Sequence, residues 1–126
     1  MNKRLALCLI FAAAAVGLLA LRGRAEQELD PLKVCADTQK LIFENQFVRV
    51  VDDRIPAGGA EAQHRHRHGV VVYLTDYKVE QVAMPGHKVT RSERKFGAVT
   101  WSEAVVHEVK NIGDTPSHAI RIELKY

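Results

Sequence analysis

Between Gln39 and Leu124 the chain is a succession of short runs, many of them rich in β-branched and aromatic residues, cut apart by turn chemistry at close intervals. The runs are Gln39 to Phe43, Phe47 to Ile55, Val70 to Thr75, Tyr77 to Ala83, His87 to Ser92, Ala98 to Trp101, Val105 to Asn111 and His118 to Leu124. Several alternate with the two-residue period of a strand: Ile120-x-Ile122-x-Leu124 stands against charged Arg121 and Glu123. The punctuation is Pro56-Ala57-Gly58-Gly59, Thr75-Asp76, Met84-Pro85-Gly86, Lys95-Phe96-Gly97 and Gly113-Asp114-Thr115-Pro116, all turn-forming combinations. No segment after residue 25 carries an apolar repeat of three or four helical turns. Several short strands at this spacing predict an all-β sandwich or small barrel.

The N-terminus is of a different kind. Asn2-Lys3-Arg4 is basic, Leu5 to Leu21 is free of charge, and Gly23 and Ala25 place small residues at the −3 and −1 positions of a cut. This is the layout of an export signal over residues 1–25, with an uncleaved membrane anchor as the alternative because the apolar run is long and Arg22 and Arg24 follow it. Either reading exports the domain to the periplasm or the extracellular space, and a membrane is a partner only if the segment stays attached. Residues 26–39 read as a polar lead-in, and residues 40–126 as one domain of adequate but modest core.

Removing the signal reverses the charge. The whole chain has 18 basic and 15 acidic residues and a net charge of +3, but Lys3, Arg4, Arg22 and Arg24 lie in residues 1–25, which contain no acid. Fourteen basic residues then face 15 acidic ones, a net −1. The high isoelectric point belongs to the signal, so nucleic acid is not an expected partner. Cys8 leaves with the signal, and Cys35 alone cannot staple a domain. It reads as a small buried residue or a free thiol, with an intermolecular disulfide or a metal ligand as alternatives.

His64-Arg65-His66-Arg67-His68 carries three imidazoles at i, i+2 and i+4. On an extended strand these share one face, and neutral imidazole is a common ligand for zinc, copper, iron and nickel. His107 lies on a separate run. Folded against His64 and His66, it would complete three neutral ligands around one ion and leave positions open for a substrate. His87 and His118 read as surface residues, and Glu61, Glu103 and Glu108 as solvated. Tyr73 and Trp101 read as pocket wall.

Gly58-x5-His64-x-His66 resembles the first motif of the cupins, and Gly97-x9-His107-x3-Asn111 the second. Asn111-Ile112-Gly113-Asp114 and the run after it are similar to the last hairpin of small single-domain cupins. The resemblance covers roughly residues 40–125. It implies a single jelly-roll β-barrel with both motifs lining one open end, and it assigns His64, His66 and His107 to a divalent ion: iron, zinc, nickel, manganese or copper. Asn111 falls at a position that shapes the turn after its strand. The family's first motif also supplies a Glu, whose place here is held by Val70 or Val71. Some cupin dioxygenases resemble this arrangement, with three His and no acid. His68 is the candidate stand-in for the missing ligand, or turns outward if the strand bulges or ends at Gly69.

Three readings stay open. One is an exported metal-dependent oxygenase or isomerase of a small molecule, the second a non-catalytic module for a small ligand or a metal, and the third a structural or partner-binding domain whose His cluster holds no metal. No catalytic side chain is assigned beyond the ligands. A homodimer through the outer sheets is the expected assembly.

Overall fold

The computed structural model describes residues 28–126; the signal or anchor read over residues 1–25 lies outside the described residues. Among the described residues a short helix, α1 (Pro31–Val34), precedes nine strands: β1 (Gln39–Glu44), β2 (Val48–Ile55), β3 (Ala60–His66), β4 (Gly69–Tyr73), β5 (Tyr77–Met84), β6 (Lys88–Arg94), β7 (Val99–Ser102), β8 (Val105–Asn111) and β9 (Ser117–Leu124). Asp30 caps α1 by accepting from Leu32 N at 3.0 Å, and Pro31 fills the first turn, where a missing N–H costs nothing.

The strands form two antiparallel sheets, ordered β1-β2-β9-β4-β7 and β3-β8-β5-β6. The run-and-turn pattern predicts the all-β class, and the family resemblance the jelly-roll layout; both are met. Most strand limits fall within two residues of the apolar runs. The exception is β3, which no apolar run marks, because its inward positions are filled by histidine.

The inner faces follow from the two-residue period. Arg49, Val51, Asp53 and Ile55 of β2, Gly69, Val71 and Tyr73 of β4, and Ala119, Arg121 and Glu123 of β9 line one wall. The charged residues of β9 are therefore the inward ones, while Ile120 and Ile122 take the other face. His107, Val109 and Asn111 of β8 and Tyr77, Val79 and Gln81 of β5 line the facing wall. One end of the interior is apolar, with Ile55, Val71, Tyr73, Tyr77, Val79, Val109 and Ala119 in a single cluster. Each large member contributes about 1.5–3 kcal/mol by leaving water.

Asn111 ties this end shut. Its Nδ2 donates to Ile55 O at 3.0 Å and Thr115 O at 2.9 Å, and its Oδ1 accepts from Gly113 N at 2.9 Å. It thus fixes the turn between β8 and β9.

Gly69 opens β4 where that strand lies closest to β9. A Cβ there would sit 2.0 Å from Ile122 O, which no relaxation of a side chain relieves. Gly69→Ala should therefore lower stability by about 3 kcal/mol or more, beyond ordinary overpacking. Gly58 has open space around it and only its positive φ of 72° to protect, so Gly58→Ala should cost about 1–2 kcal/mol. Urea midpoints of the two variants check the order; equal losses would refute the close approach at Gly69.

Candidate metal centre

His64, His66 and His107 meet at one buried point, 0, 3 and 3% exposed. The β3–β8 register sets His64 directly opposite His107, and His66 follows two residues along β3. His64 Nε2 lies 3.0 Å from His66 Nε2 and 3.1 Å from His107 Nε2. Donors about 2.1 Å from one ion and roughly 90° apart stand about 3.0 Å from each other, so the spacing suits a single transition-metal ion.

Each ring is fixed from behind. His64 Nδ1 donates to Ala62 O at 2.7 Å, His66 Nδ1 to Glu123 Oε1 at 2.6 Å, and His107 Nδ1 to Gln81 Oε1 at 3.2 Å. A proton on every Nδ1 leaves every Nε2 with a lone pair aimed at the shared point. That tautomer is the one a metal requires, and partners of this kind fix the ring orientation and raise ligand basicity.

Burial keeps the rings neutral. Desolvation lowers His64, and it drives His66 well below the usual imidazole range with help from Arg121. His107 is pushed down to about 3 by burial and by the neighbouring His64 and Arg121. Three lone pairs held together in a dry site repel one another, and a cation between them removes that repulsion. The residues present therefore fit a divalent ion, with His64, His66 and His107 as one group that could hold it; Cys35, Glu61 and His64 form a second such group, sharing His64.

A layer of polar groups supports the rings. Glu123, fully buried, bonds Arg49 through Oε2 at 3.0 Å, and Arg49 in turn binds Asp30 at 3.1 Å. The lead-in thus reaches the centre through one chain of charges. Burial raises the Glu123 carboxyl while Arg49 and Arg121 pull it back.

Glu61 corrects the sequence reading, which left it solvated. It is 4% exposed, because a bulge between Glu61 and His64 turns residues three apart to the same inner face. Its carboxylate accepts from Thr38 Oγ1 at 2.5 Å and from Gln39 Nε2 at 3.0 and 3.1 Å, and its Oε2 lies 3.6 Å from His64 Nε2. Cys35 is buried against the other side of that ring, Sγ 3.4 Å from His64 Nδ1. Burial, Glu61 and Asp53 push its thiol up to about 12, so it stays protonated. Glu103 and Glu108 are exposed, as read from the sequence.

His68 is not brought to the three. β3 ends at His66, and the His68 ring stacks on Trp101 with centroids 5.8 Å apart. Tyr73 is buried, its hydroxyl 3.4 Å from Thr100 Oγ1, whereas Trp101 is half exposed and donates to Glu103 at 2.7 Å. Both line one half-open cavity with His107. His87 is exposed in its turn, and His118 faces away from the interior, 2.5 Å from Asp52.

The sequence reading missed Glu123, Gln81, Arg49 and Asp30. Their one sequence signal is polar residues in phase with buried ones, such as Glu123 in step with Ala119.

No family model matches the chain, and no curated protein matches it. Solved structures do. A cupin domain from Bordetella pertussis Tohama I is 29% identical, with a TM-score of 0.63 over 70% of this chain and 92% of that one. A conserved protein with a double-stranded β-helix domain from Klebsiella pneumoniae is 19% identical, with a TM-score of 0.52 over 67% of this chain and 72% of that one. An RmlC-like cupin family protein from Methanocaldococcus jannaschii is 11% identical, with a TM-score of 0.52 over 69% and 80%. The last two share the fold alone.

The buried imidazoles make the metal-free protein acid-sensitive. An unfolded imidazole binds its proton near ~6.5, whereas folded His107 does so only at about 3. Between those values the unfolded chain holds more protons, so the stability is complete above ~6.5 and falls as pH drops toward 3. Asp53, raised by burial, works in the opposite direction, so the informative quantity is a difference between variants. His107→Gln should flatten the pH dependence of stability by about one proton, ~1.4 kcal/mol per pH unit between roughly pH 4 and 6. Urea unfolding of metal-free protein across that range measures it, and an unchanged slope would refute a neutral buried His107.

Proposed function

Because this chain carries a small cupin domain of the RmlC-like double-stranded β-helix fold, we propose that it binds one divalent metal ion through His64, His66 and His107 and brings a small molecule to it. The observation that carries this reading is the shared tautomer: three Nδ1 atoms committed to acceptors and three Nε2 atoms within reach of one point. When bound, the ion supplies Lewis-acid or redox chemistry at an open coordination position.

The chain's own residues do the rest. Glu123 and Gln81 hold two of the rings in register, and Arg49 holds Glu123. Val71, in the stretch where the cupin motif supplies a Glu, is buried against the interior, so the ligand set carries no acid of that kind and the ion keeps its full charge toward a substrate. Oxidation or isomerisation of a small molecule is the reaction class we assign, in the exported compartment that we infer from the signal-like residues 1–25.

A second reading is supported by the state of the nearby carboxylates. Glu123 is engaged by Arg49 and His66, and Glu61 by Thr38 and Gln39. Neither is placed to take a proton from a substrate, which suits capture of a ligand or metal without turnover.

Metal analysis of the untagged exported protein should find close to one transition-metal ion per chain. His107→Ala should remove it, whereas His87→Ala and His68→Ala should leave it in place. At a metal concentration 100 times Kd, added metal should stabilise the wild type by about 2.7 kcal/mol. A protein that takes up none of iron, zinc, nickel, copper or manganese would overturn the proposal. Iron-loaded protein that consumes oxygen with thiols or diketones favours the oxygenase; a redox-inert ion with a retained ligand and no turnover favours the module.

A further inference from the structure

A half-open cavity of about 330 Å³ reaches into the barrel, its lining including Asp53, Tyr73, Gln81, Glu103, His107 and Arg121, with Glu103 at the exposed rim, where it accepts from Trp101. Its volume is at the low end of small-molecule pockets, ~300–1,000 Å³. Of its polar residues, only His107 and Gln81 belong to the metal centre. Arg121 is the unexplained one. It stands on the inner face of β9 with Val51 and Val71 as its cross-strand neighbours, so no acid faces it in register. Its Nη1 donates to the neutral Ser102 hydroxyl at 3.2 Å. It also lies close enough to the three imidazoles to disfavour their protonation.

Asp53, one row along, is the acid that would be expected to neutralise it. Its Oδ1 has no solvent-accessible surface and no hydrogen-bond partner, a costly position for a carboxylate. Burial and the neighbouring Glu61 raise Asp53 well above the usual carboxylate range, against the pull of Arg121. Asp53 makes no ion pair with Arg121, and Glu123, two residues along β9, is already engaged by Arg49 and His66, so the guanidinium at the cavity wall has no carboxylate bonded to it. A guanidinium fork matches a carboxylate with two parallel N–H···O bonds.

We propose that the cavity binds a small carboxylate-bearing molecule, its carboxylate paired with Arg121 and its other end held beside His107. The assignment rests on the metal reading only for that second contact. Arg121 is here the specificity-determining residue, and the body of the ligand between its two ends lies along Tyr73 and Thr100.

Malonate is a suitable probe, with malonamide as its uncharged analogue of similar size. Calorimetry and the visible bands of the cobalt(II)-loaded protein should report saturable malonate binding, with malonamide at least tenfold weaker. Arg121→Met should weaken malonate at least tenfold while cobalt content stays at the wild-type level, and Arg121→Lys should fall between. Asp53→Asn should bind within about threefold of wild type. Malonamide binding as tightly as malonate, or an Asp53→Asn variant gaining more than tenfold, would overturn the proposal whatever the folding of Arg121→Met. A protein that takes up neither cobalt nor any of iron, zinc, nickel, copper and manganese defeats the metal reading instead. The malonate–malonamide comparison is then made by calorimetry on the metal-free chain, where Arg121 alone should still prefer the anion, and equal binding would overturn the proposal there too.

Discussion

The bulge in β3 between Glu61 and His64 is the feature on which the rest of the interior depends. In an unbroken strand, residues three apart face opposite ways, and either Glu61 or the histidine pair would point to solvent. The extra residue turns Glu61, His64 and His66 to the same side. It also brings His64 into line with His107 on β8. Once these side chains are inside, the surrounding residues must satisfy them, and the positions of Gln39, Thr38, Gln81 and Glu123 follow from that need. Burying polar groups at this density costs stability unless each finds a partner. The apolar cluster at the opposite end of the barrel offsets that cost.

The lead-in serves the same end. Asp30, Cys35, Thr38 and Gln39 all touch the charge network or the ring contacts behind the imidazoles. Leu29 O also accepts from Arg65 N at 2.8 Å, binding the lead-in backbone to the strand that carries two of the histidines. What reads as a polar approach to a domain closes the polar end of the barrel. Its short helix is held by one cap and a proline, and the partners of its neighbours on β2 and β3 fix where it lies.

The strands and turns were legible because their signals are local: β-branched runs, glycine and proline at the turns, and the Asn111 position that fixes the last one. The histidine triad was legible through spacing and family motif together. What the sequence concealed depends on register. Ile120 and Ile122 alternate with Arg121 and Glu123, and hydropathy alone gives no reason for the charged pair to face inward. They do so because Arg49 lies across from Glu123 and the imidazole of His66 lies above it. Glu61 was concealed for the related reason that a bulge reverses parity without leaving a mark in composition. Asp53 and Gln39 pair across strands and share the inner face, which single-strand periodicity does not show.

The carboxylate missing from the ligand set has, in effect, been moved one layer outward. Glu123 meets His66 at Nδ1 and not at the shared point, so it would strengthen one ligand without occupying a position around an ion. Arg49 keeps it there, since a carboxylate engaged by a guanidinium on one oxygen and an imidazole on the other has little freedom to swing inward. Val71 takes up the inner-face position on β4, and its apolar side chain beside Arg121 keeps that cation from finding an acid in its own row. An ion held there by neutral ligands, with a guanidinium nearby and Glu61 and Glu123 engaged by other groups, would present positive charge to whatever enters the cavity. The character of the site is thus set less by the three histidines than by where the acids around them have been placed.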